Sequence, residues 1–243
     1  MSDTGSRILQ HLAAVAAERD ARRATPGLEA AALAVKTYQQ QRFGRTHAAL
    51  LASPRHGPAA RFFLEELYGP RDFSTRDAQF ARIVPTLVRM FPGEIVATVE
   101  RLAAVHALSE QLDSDMARRL GAAPVTRATY VAAWQGTGRR ADRECQIALV
   151  LEVGQALDRY TRNPLLRTSL RLMRGPARAA GMASLQQFLE GGFDAFAAMR
   201  GATEFLSAIE RAERALIDRL FDPAAPAQAS GPVAEPDILA QLP

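Results

Sequence analysis

The stretch from Pro92 to Gly121 constrains the fold more than any other part of the sequence. Its apolar residues recur at alternating steps of three and four, which is the spacing of a helix. Proline is favoured at the first positions of a helix, and glycine is favoured just after its end. The sequence therefore predicts one long helix that starts at Pro92 and ends at Leu120, with Gly121 as its C-cap.

The rest of the chain is divided by proline and glycine in the same way. Between these breaks the apolar residues have helical spacing, and β-branched residues never form an alternating run that would predict a strand. Hydrophobic residues make up 48% of the 243 residues and aromatic residues only 7%. We predict an all-α fold, a multi-helix bundle of about eight to ten helices in which neighbours along the chain are mostly antiparallel.

The domain organisation follows from where this pattern stops. Residues 1–222 are predicted to form a single helical domain. Residues 223–243 are rich in proline and alanine and lack apolar periodicity, so we predict a disordered C-terminal tail that is dispensable for folding.

The charged residues indicate which partners to expect. The chain has 30 basic and 26 acidic residues, and Lys36 is the only lysine. Arginines are mixed with acids, as in Arg71-Asp72, whereas nucleic-acid binders concentrate their bases on one face. We therefore do not favour nucleic-acid binding.

The location of the protein is predicted from what the sequence does not contain. No stretch approaches the roughly 18 uncharged apolar residues of a membrane span. The first residues also lack a basic segment ahead of an apolar core, as a secretion signal would have. Cys145 is the only cysteine, which excludes an intrachain disulfide and a cysteine metal cluster. We expect a soluble cytoplasmic protein without membrane contact.

One segment carries a resemblance to a known group of proteins. The sequence RFFLEELYGPRDFSTRDAQFARIVP, residues 61–85, resembles the signature of the FFLEELY-motif proteins, an uncharacterised all-helical bacterial family. The stretches Leu102–Asp113 and Met173–Phe196 extend the resemblance over most of the chain. The resemblance implies a helical fold and a bacterial setting, and it implies no activity.

The glutamates of this motif have two interpretations. Apolar residues cover most of the helix circumference around Glu65 and Glu66, so at least one glutamate must lie near the core boundary. It could serve as a metal ligand or proton carrier. We favour instead an ion pair that fastens the following turn, because the planar guanidinium holds a carboxylate bidentately. The candidate arginines are Arg61, Arg71 and Arg76.

The long helix carries polar residues where it should face its partners. Its seam comprises Ile95, Val99, Leu102, His106, Ser109, Asp113, Met116 and Leu120, which is apolar at both ends and polar in the middle. A buried histidine and aspartate need partners, because an unpaired polar group in a core is costly. We favour an internal polar network that reaches Arg143, Glu144 or Glu152 on a later helix.

A ligand held between helices is the alternative to that network. The candidate binding residues are His106, Asp113, Glu66, Ser109 and Arg143. Di-metal carboxylate bundles use Glu-x-x-His pairs, and the sequence contains none. We therefore predict no metal site and no cofactor.

The pair Gly191-Gly192 needs a structural reason. Glycine inside a helix costs about 1 kcal/mol relative to alanine. We expect either that another helix approaches closely there or that the helix bends and opens a cavity.

The functional prediction rests mainly on missing signatures. The sequence has no nucleophile elbow, no zinc-protease motif and no phosphate loop. We predict a non-catalytic helical-bundle protein that acts through a protein partner or through self-association. The alternative is a small-ligand or metal binder, with an enzyme as one form of it, centred on His106 and Asp113.

Overall fold

The computed structural model describes residues 3–67, 69–225 and 238–243. In these residues the chain forms twelve α-helices, one π-helical turn over Phe63–Leu67 and one 3-10 turn over Ile238–Gln241, without any strand. The helices are α1 (Asp3–Ala24), α2 (Leu28–Thr46), α3 (Ala48–Ala52), α4 (Gly57–Phe62), α5 (Ser74–Met90), α6 (Gly93–Leu120), α7 (Arg127–Thr137), α8 (Arg140–Thr161), α9 (Pro164–Leu172), α10 (Arg174–Ala179), α11 (Ala183–Met199) and α12 (Thr203–Leu220). The predicted all-α fold is confirmed.

The helix count exceeds the prediction because some breaks fall elsewhere. His47 lies between α2 and α3, so a stretch without any proline still forms two helices. Gly175 and Pro176 belong to the residue types that predict a helix end, but they lie inside the first turn of α10. Proline is tolerated there because the first N–H groups of a helix have no partner within the helix.

The long helix α6 is the centre of the bundle. It packs against α1, α2, α7 and α8 and, over a shorter length, against α5. Its buried residues are spread around its circumference and include Val96, Leu112, Met116 and Leu120. The buried polar residues of α6 therefore lie among other helices and need partners there; they are Thr98, Glu110, Asp113 and Ser114.

Two apolar clusters form the core. The smaller one joins α1, α5 and α6 through Ile8, Leu12, Val84, Leu87, Val96 and Ala103. The larger one is rich in aromatic residues from α2, α4, α7, α11 and α12. In this larger cluster Phe205 meets Phe63 and Phe196 edge to face, with ring centroids 5.4 and 6.2 Å apart.

The glycine pair of α11 is explained by a close approach. The ring of Phe62, at the end of α4, lies on Gly191 and Gly192. A Cβ atom added at Gly192 would lie only 3.0 Å from Cζ of Phe62. The expected close approach is confirmed, and α11 continues unbroken through both glycines.

The last described residues differ from the predicted disordered tail. Leu239 and Leu242 are fully buried and belong to the larger apolar cluster. Tyr38 Oη donates to the Pro243 carbonyl at 3.2 Å, and Arg45 Nη1 donates to the Leu242 carbonyl at 2.8 Å. The prediction is wrong for residues 238–243, because two leucines three residues apart, one in the 3-10 turn and one directly after it, are too few to show periodicity. Residues 226–237 lie outside the described residues.

No helix in the described parts of the chain has both the length and the apolar character required to cross a bilayer.

Candidate functional site

His106 belongs to a polar cluster between α1, α5 and α6. Its Nε2 lies 2.8 Å from Oδ2 of Asp77, and Arg19 Nη1 lies 2.9 Å from the same oxygen. Burial acts to raise the pKa of Asp77, but the His106 hydrogen bond and the charges of Arg19 and Arg76 hold it below its ordinary value. His106 is thus half-buried and engaged with a carboxylate, as the network interpretation requires.

Glu110, one turn after His106, is the most heavily paired acid of α6. Its carboxylate receives Arg22 Nη2 at 2.5 Å, Lys36 Nζ at 2.8 Å and Arg19 Nη2 at 3.1 Å. Although burial opposes ionisation, Lys36 and the two arginines hold the pKa of Glu110 far below its ordinary value. The only lysine of the chain and two arginines three residues apart on α1 therefore converge on one carboxylate.

Asp113 and Ser109 lie on the same face of α6 as His106, because they follow it by seven and three residues, but they contact different helices. Burial raises the pKa of Asp113, while the nearby charges of Lys36 and Arg143 act to lower it. Ser109 Oγ accepts a hydrogen bond from Gln146 Nε2 at 2.7 Å. Arg143 places its guanidinium 4.2 Å from the centre of the Trp134 ring. Asp113 and Ser109 thus interact with residues of α2 and α8, whereas His106 contacts Asp77 of α5 and Arg19 of α1.

Glu66 is connected to the His106 side through Arg76. Arg76 Nη1 lies 3.4 Å from Glu66 Oε2, and its Nε lies 3.7 Å from Asp77. Arg71 is a second cation near Glu66, at 3.7 Å. The predicted ion pair after the FFLEELY segment is therefore present, and it extends the network from the π-helical turn to α6.

The acids of the polar cluster around His106 are engaged within the protein. Asp77, Glu110 and Glu66 are each paired with a cation from another part of the chain, so these three carboxylates are already engaged. Among the described residues no group of three histidine, cysteine, aspartate or glutamate side chains could hold a metal ion.

A second buried ion pair was not predicted from the sequence. Glu213 on α12 receives Arg42 Nη1 at 2.5 Å and His47 Nε2 at 2.9 Å. Burial opposes its ionisation, but the Arg42 charge and the His47 hydrogen bond lower the pKa of Glu213 to about 2. A cavity of about 20 Å³ adjoins this pair and is also lined by Tyr130, Trp134 and Arg143.

A wide surface groove of about 470 Å³ runs between the FFLEELY segment and α11. Phe62, Glu65 and Glu66 line one side, and Gly191 and Asp194 line the other. Two of the stretches that carry the family resemblance therefore meet at this groove.

The helices α9 and α10 form an exposed surface that the sequence reasoning missed. Leu165 and Leu172 are 73% and 72% exposed, and Met173 beside them is half exposed. Residues 159–189 contain six arginines and no acidic residue. The mixture of arginines and acids seen over the whole chain does not hold in this segment. We call Leu165, Leu172, Met173, Arg171 and Arg178 the basic-apolar face.

The substitution His106→Ala tests the network interpretation. It removes the hydrogen bond to Asp77, so we expect the free energy of unfolding to fall by about 1–3 kcal/mol. Urea denaturation followed by circular dichroism measures the change, with His11→Ala, outside this cluster, as the control. An unchanged stability together with loss of a bound metal or ligand would contradict the interpretation.

Comparison with known proteins assigns the chain to a family without an activity. The chain belongs to the DUF8198 family, a domain of unknown function, whose match covers residues 18–227. No curated protein and no solved structure matches it. The FFLEELY grouping and the bacterial setting stay predictions.

Proposed function

We propose that this member of a family of unknown function is a non-catalytic binding protein, and that its basic-apolar face docks an acidic partner protein. The observation that carries the proposal is the exposure of Leu165 and Leu172. They are seven residues apart, which places them on one side of α9, and both project into solvent. An exposed apolar surface rimmed by charge is typical of an interaction site.

The charge of the segment indicates the chemistry of the partner. Three of its six arginines pair with acids of α8 and α11, at 2.5–2.9 Å: Arg162 with Asp158, Arg167 with Asp194 and Arg174 with Glu190. Arg171 and Arg178 form no ion pair with a described residue. They are free to receive carboxylates that flank apolar side chains of a partner, such as those of an acidic amphipathic helix.

A protein suits this face better than a phosphate-rich surface does. Asp194 and Glu190 lie beside the arginines and would repel the phosphates of a membrane or a nucleic acid. A protein can instead match both signs of charge, and arginine and methionine are enriched in protein interfaces. The paired network around His106 supports a non-catalytic role, because Asp77 and Glu110 are already engaged by His106, Arg19 and other side chains of the chain.

The proposal is tested with the full chain carrying Leu165→Glu and Leu172→Glu. The partner is first identified by crosslinking in the cells that produce the protein, and it is then purified. The affinity of the purified partner is measured for wild type and for this variant. We expect the variant to lose at least about 30-fold in affinity, because two central apolar contacts are removed and carboxylates oppose the acidic partner. Binding by wild type should also weaken as salt is raised.

Leu33→Glu is the matched control, since Leu33 is a half-exposed leucine of α2 away from α9. It should bind like wild type, and circular dichroism verifies that both variants fold. If the variant with Leu165→Glu and Leu172→Glu binds the partner as tightly as wild type does, the proposal is refuted. Crosslinks between two copies of the chain, or binding of wild type to anionic phospholipid vesicles, would assign the face to a different occupant.

A further inference from the structure

The groove between the FFLEELY segment and α11 combines an apolar surface with acidic side chains. Its apolar part includes the ring of Phe62 together with Gly191 and Ala195. Its volume of about 470 Å³ is within the range of about 300–1,000 Å³ that is usual for small-molecule sites. The acids that line it are Glu65, Glu66 and Asp194. The groove is therefore large enough for a small organic ligand and offers it both kinds of contact.

Of the two glycines of α11 beside this groove, only Gly192 is required by the packing of Phe62. A Cβ atom at Gly191 would lie 3.6 Å from the Phe62 ring, which is an ordinary van der Waals contact, whereas at Gly192 it would lie 3.0 Å away. Glycine inside a helix is nevertheless less stable than alanine. Because Gly191 lines the groove, a larger side chain there would occupy its space. The glycine therefore keeps the groove open, which indicates an occupant.

The charge of the groove lining is mainly negative, with three carboxylates against the guanidinium of Arg61. Arg61 Nη1 donates to the Leu51 carbonyl at 3.3 Å, so this guanidinium is directed toward α3. Glu65 is exposed, and its carboxylate forms no ion pair in the described parts of the chain. The cations that pair with Glu66 and Asp194 are not part of the lining; they are Arg71, Arg76 and Arg167. A cleft lined mainly by one sign of charge attracts the opposite sign, so the occupant is a cation.

The arrangement of acidic and apolar groups indicates the class of cation. The acids of the π-helical turn and of α11 lie on the two sides of the groove, with the Phe62 ring and Gly191 as apolar surface. A linear aliphatic polyamine has matching chemistry, because methylenes separate its ammonium groups, which stay charged at neutral pH. A peptide would bring backbone N–H and C=O groups as well, and the backbone groups of the helices on both sides are already bonded within those helices. We propose that the groove binds a linear aliphatic polyamine, with Glu65 and Asp194 receiving ammonium groups and Phe62 contacting the methylenes.

The proposal is tested by titrating the full chain with spermidine at low ionic strength, followed by isothermal titration calorimetry. We expect saturable binding in the micromolar to millimolar range, and this binding should weaken as salt is raised. Magnesium chloride serves as the matched ligand, since it is a compact cation without methylenes. It should bind at least about tenfold more weakly than spermidine, because it buries no apolar surface on Phe62.

Gly191→Leu fills the groove and removes a glycine from the middle of α11. We expect spermidine binding to weaken by at least about tenfold while the melting temperature rises by roughly 2–4 °C, a combination that unfolding would not produce. Gly44→Leu is the matched control, because Gly44 is a helical glycine of α2 whose added Cβ atom would meet nothing within 4 Å. It should bind spermidine like wild type. Glu65→Gln removes one exposed carboxylate and should weaken binding by about three- to fivefold.

Three results would overturn the polyamine site. The first is the absence of saturable spermidine binding by wild type. The second is equal spermidine binding by wild type and Gly191→Leu, or equal binding of spermidine and magnesium by wild type, since either would show that cations bind to dispersed surface carboxylates. The third is tighter binding of a basic peptide, the acetylated and amidated tetrapeptide KLLK, which would assign the groove to a protein segment. Circular dichroism verifies that the variants fold, and Glu65→Gln keeps the test decisive if Gly191→Leu does not fold.

Discussion

The substitution Glu110→Ala is expected to lower the free energy of unfolding by about 3–5 kcal/mol. Arg22 is almost fully buried and donates to this carboxylate, and Lys36 and Arg19 donate to it as well. Removing the acid strands buried cations in the core, which costs more than the pair itself contributes. Urea denaturation of wild type and variant, followed by circular dichroism, measures the difference.

Glu210→Ala is the matched control for this prediction. Glu210 pairs with Arg214 on the exposed side of α12 at 3.0 Å. Exposed pairs of this kind contribute less than about 1 kcal/mol because solvent screens both charges. Equal losses for the two variants would contradict the buried arrangement around Glu110.

The same pairing gives the stability of wild type a pH dependence. The pKa of Glu110 in the folded protein is lowered from its ordinary value of 4.5, and that of Glu213 is lowered to about 2. A lowered folded pKa contributes stability that is complete above the unfolded value and is lost as the pH falls. Wild type should therefore lose stability between about pH 4.5 and pH 2, and Glu110→Ala should lose less over this range.

The helices could be predicted wherever local chemistry decides their ends. The bounds of α6 follow from Pro92 and Gly121, and the structure places them within one residue of the prediction. The break at His47 could not be predicted, because it depends on the contact of that imidazole with Glu213 on α12. A contact 166 residues away leaves no signal in the local sequence.

The candidate site could be predicted only in part, for a similar reason. The position of His106 and Asp113 on α6 follows from helical spacing, and both are at least half-buried. Their partners do not follow from it, since Asp77 comes from α5 and Arg143 from α8. The sequence pattern places residues on a helix face but does not show which neighbouring helix covers that face. It therefore places His106 and Asp113 in one site, whereas in the structure their partners come from different helices.

The near balance of basic and acidic residues over the whole chain conceals the basic character of one segment. The excess of arginine over acid is concentrated in residues 159–189, and only a local count would have revealed it. The exposure of Leu165 and Leu172 could not be inferred, because leucines at helical spacing usually face a core.

The substitution of Leu239 and Leu242 by aspartate is expected to have a comparably large effect. Both leucines are fully buried among core residues of α2 and α12. Burial of a leucine contributes about 1.5–3 kcal/mol, so the double substitution should cost at least about 3–6 kcal/mol. For a chain of this size that corresponds to a fall in melting temperature of roughly 6–24 °C.

Differential scanning calorimetry of the full chain measures this change, and Leu33→Asp on the surface of α2 is the matched control. The control should melt within about 2 °C of wild type, because an exposed leucine loses little on replacement. A double variant that melts like wild type would restore the prediction that residues 223–243 are dispensable. A large fall would instead show that the apolar turn at 238–243 completes the core, even though the chain reaches it through a segment of tail-like composition.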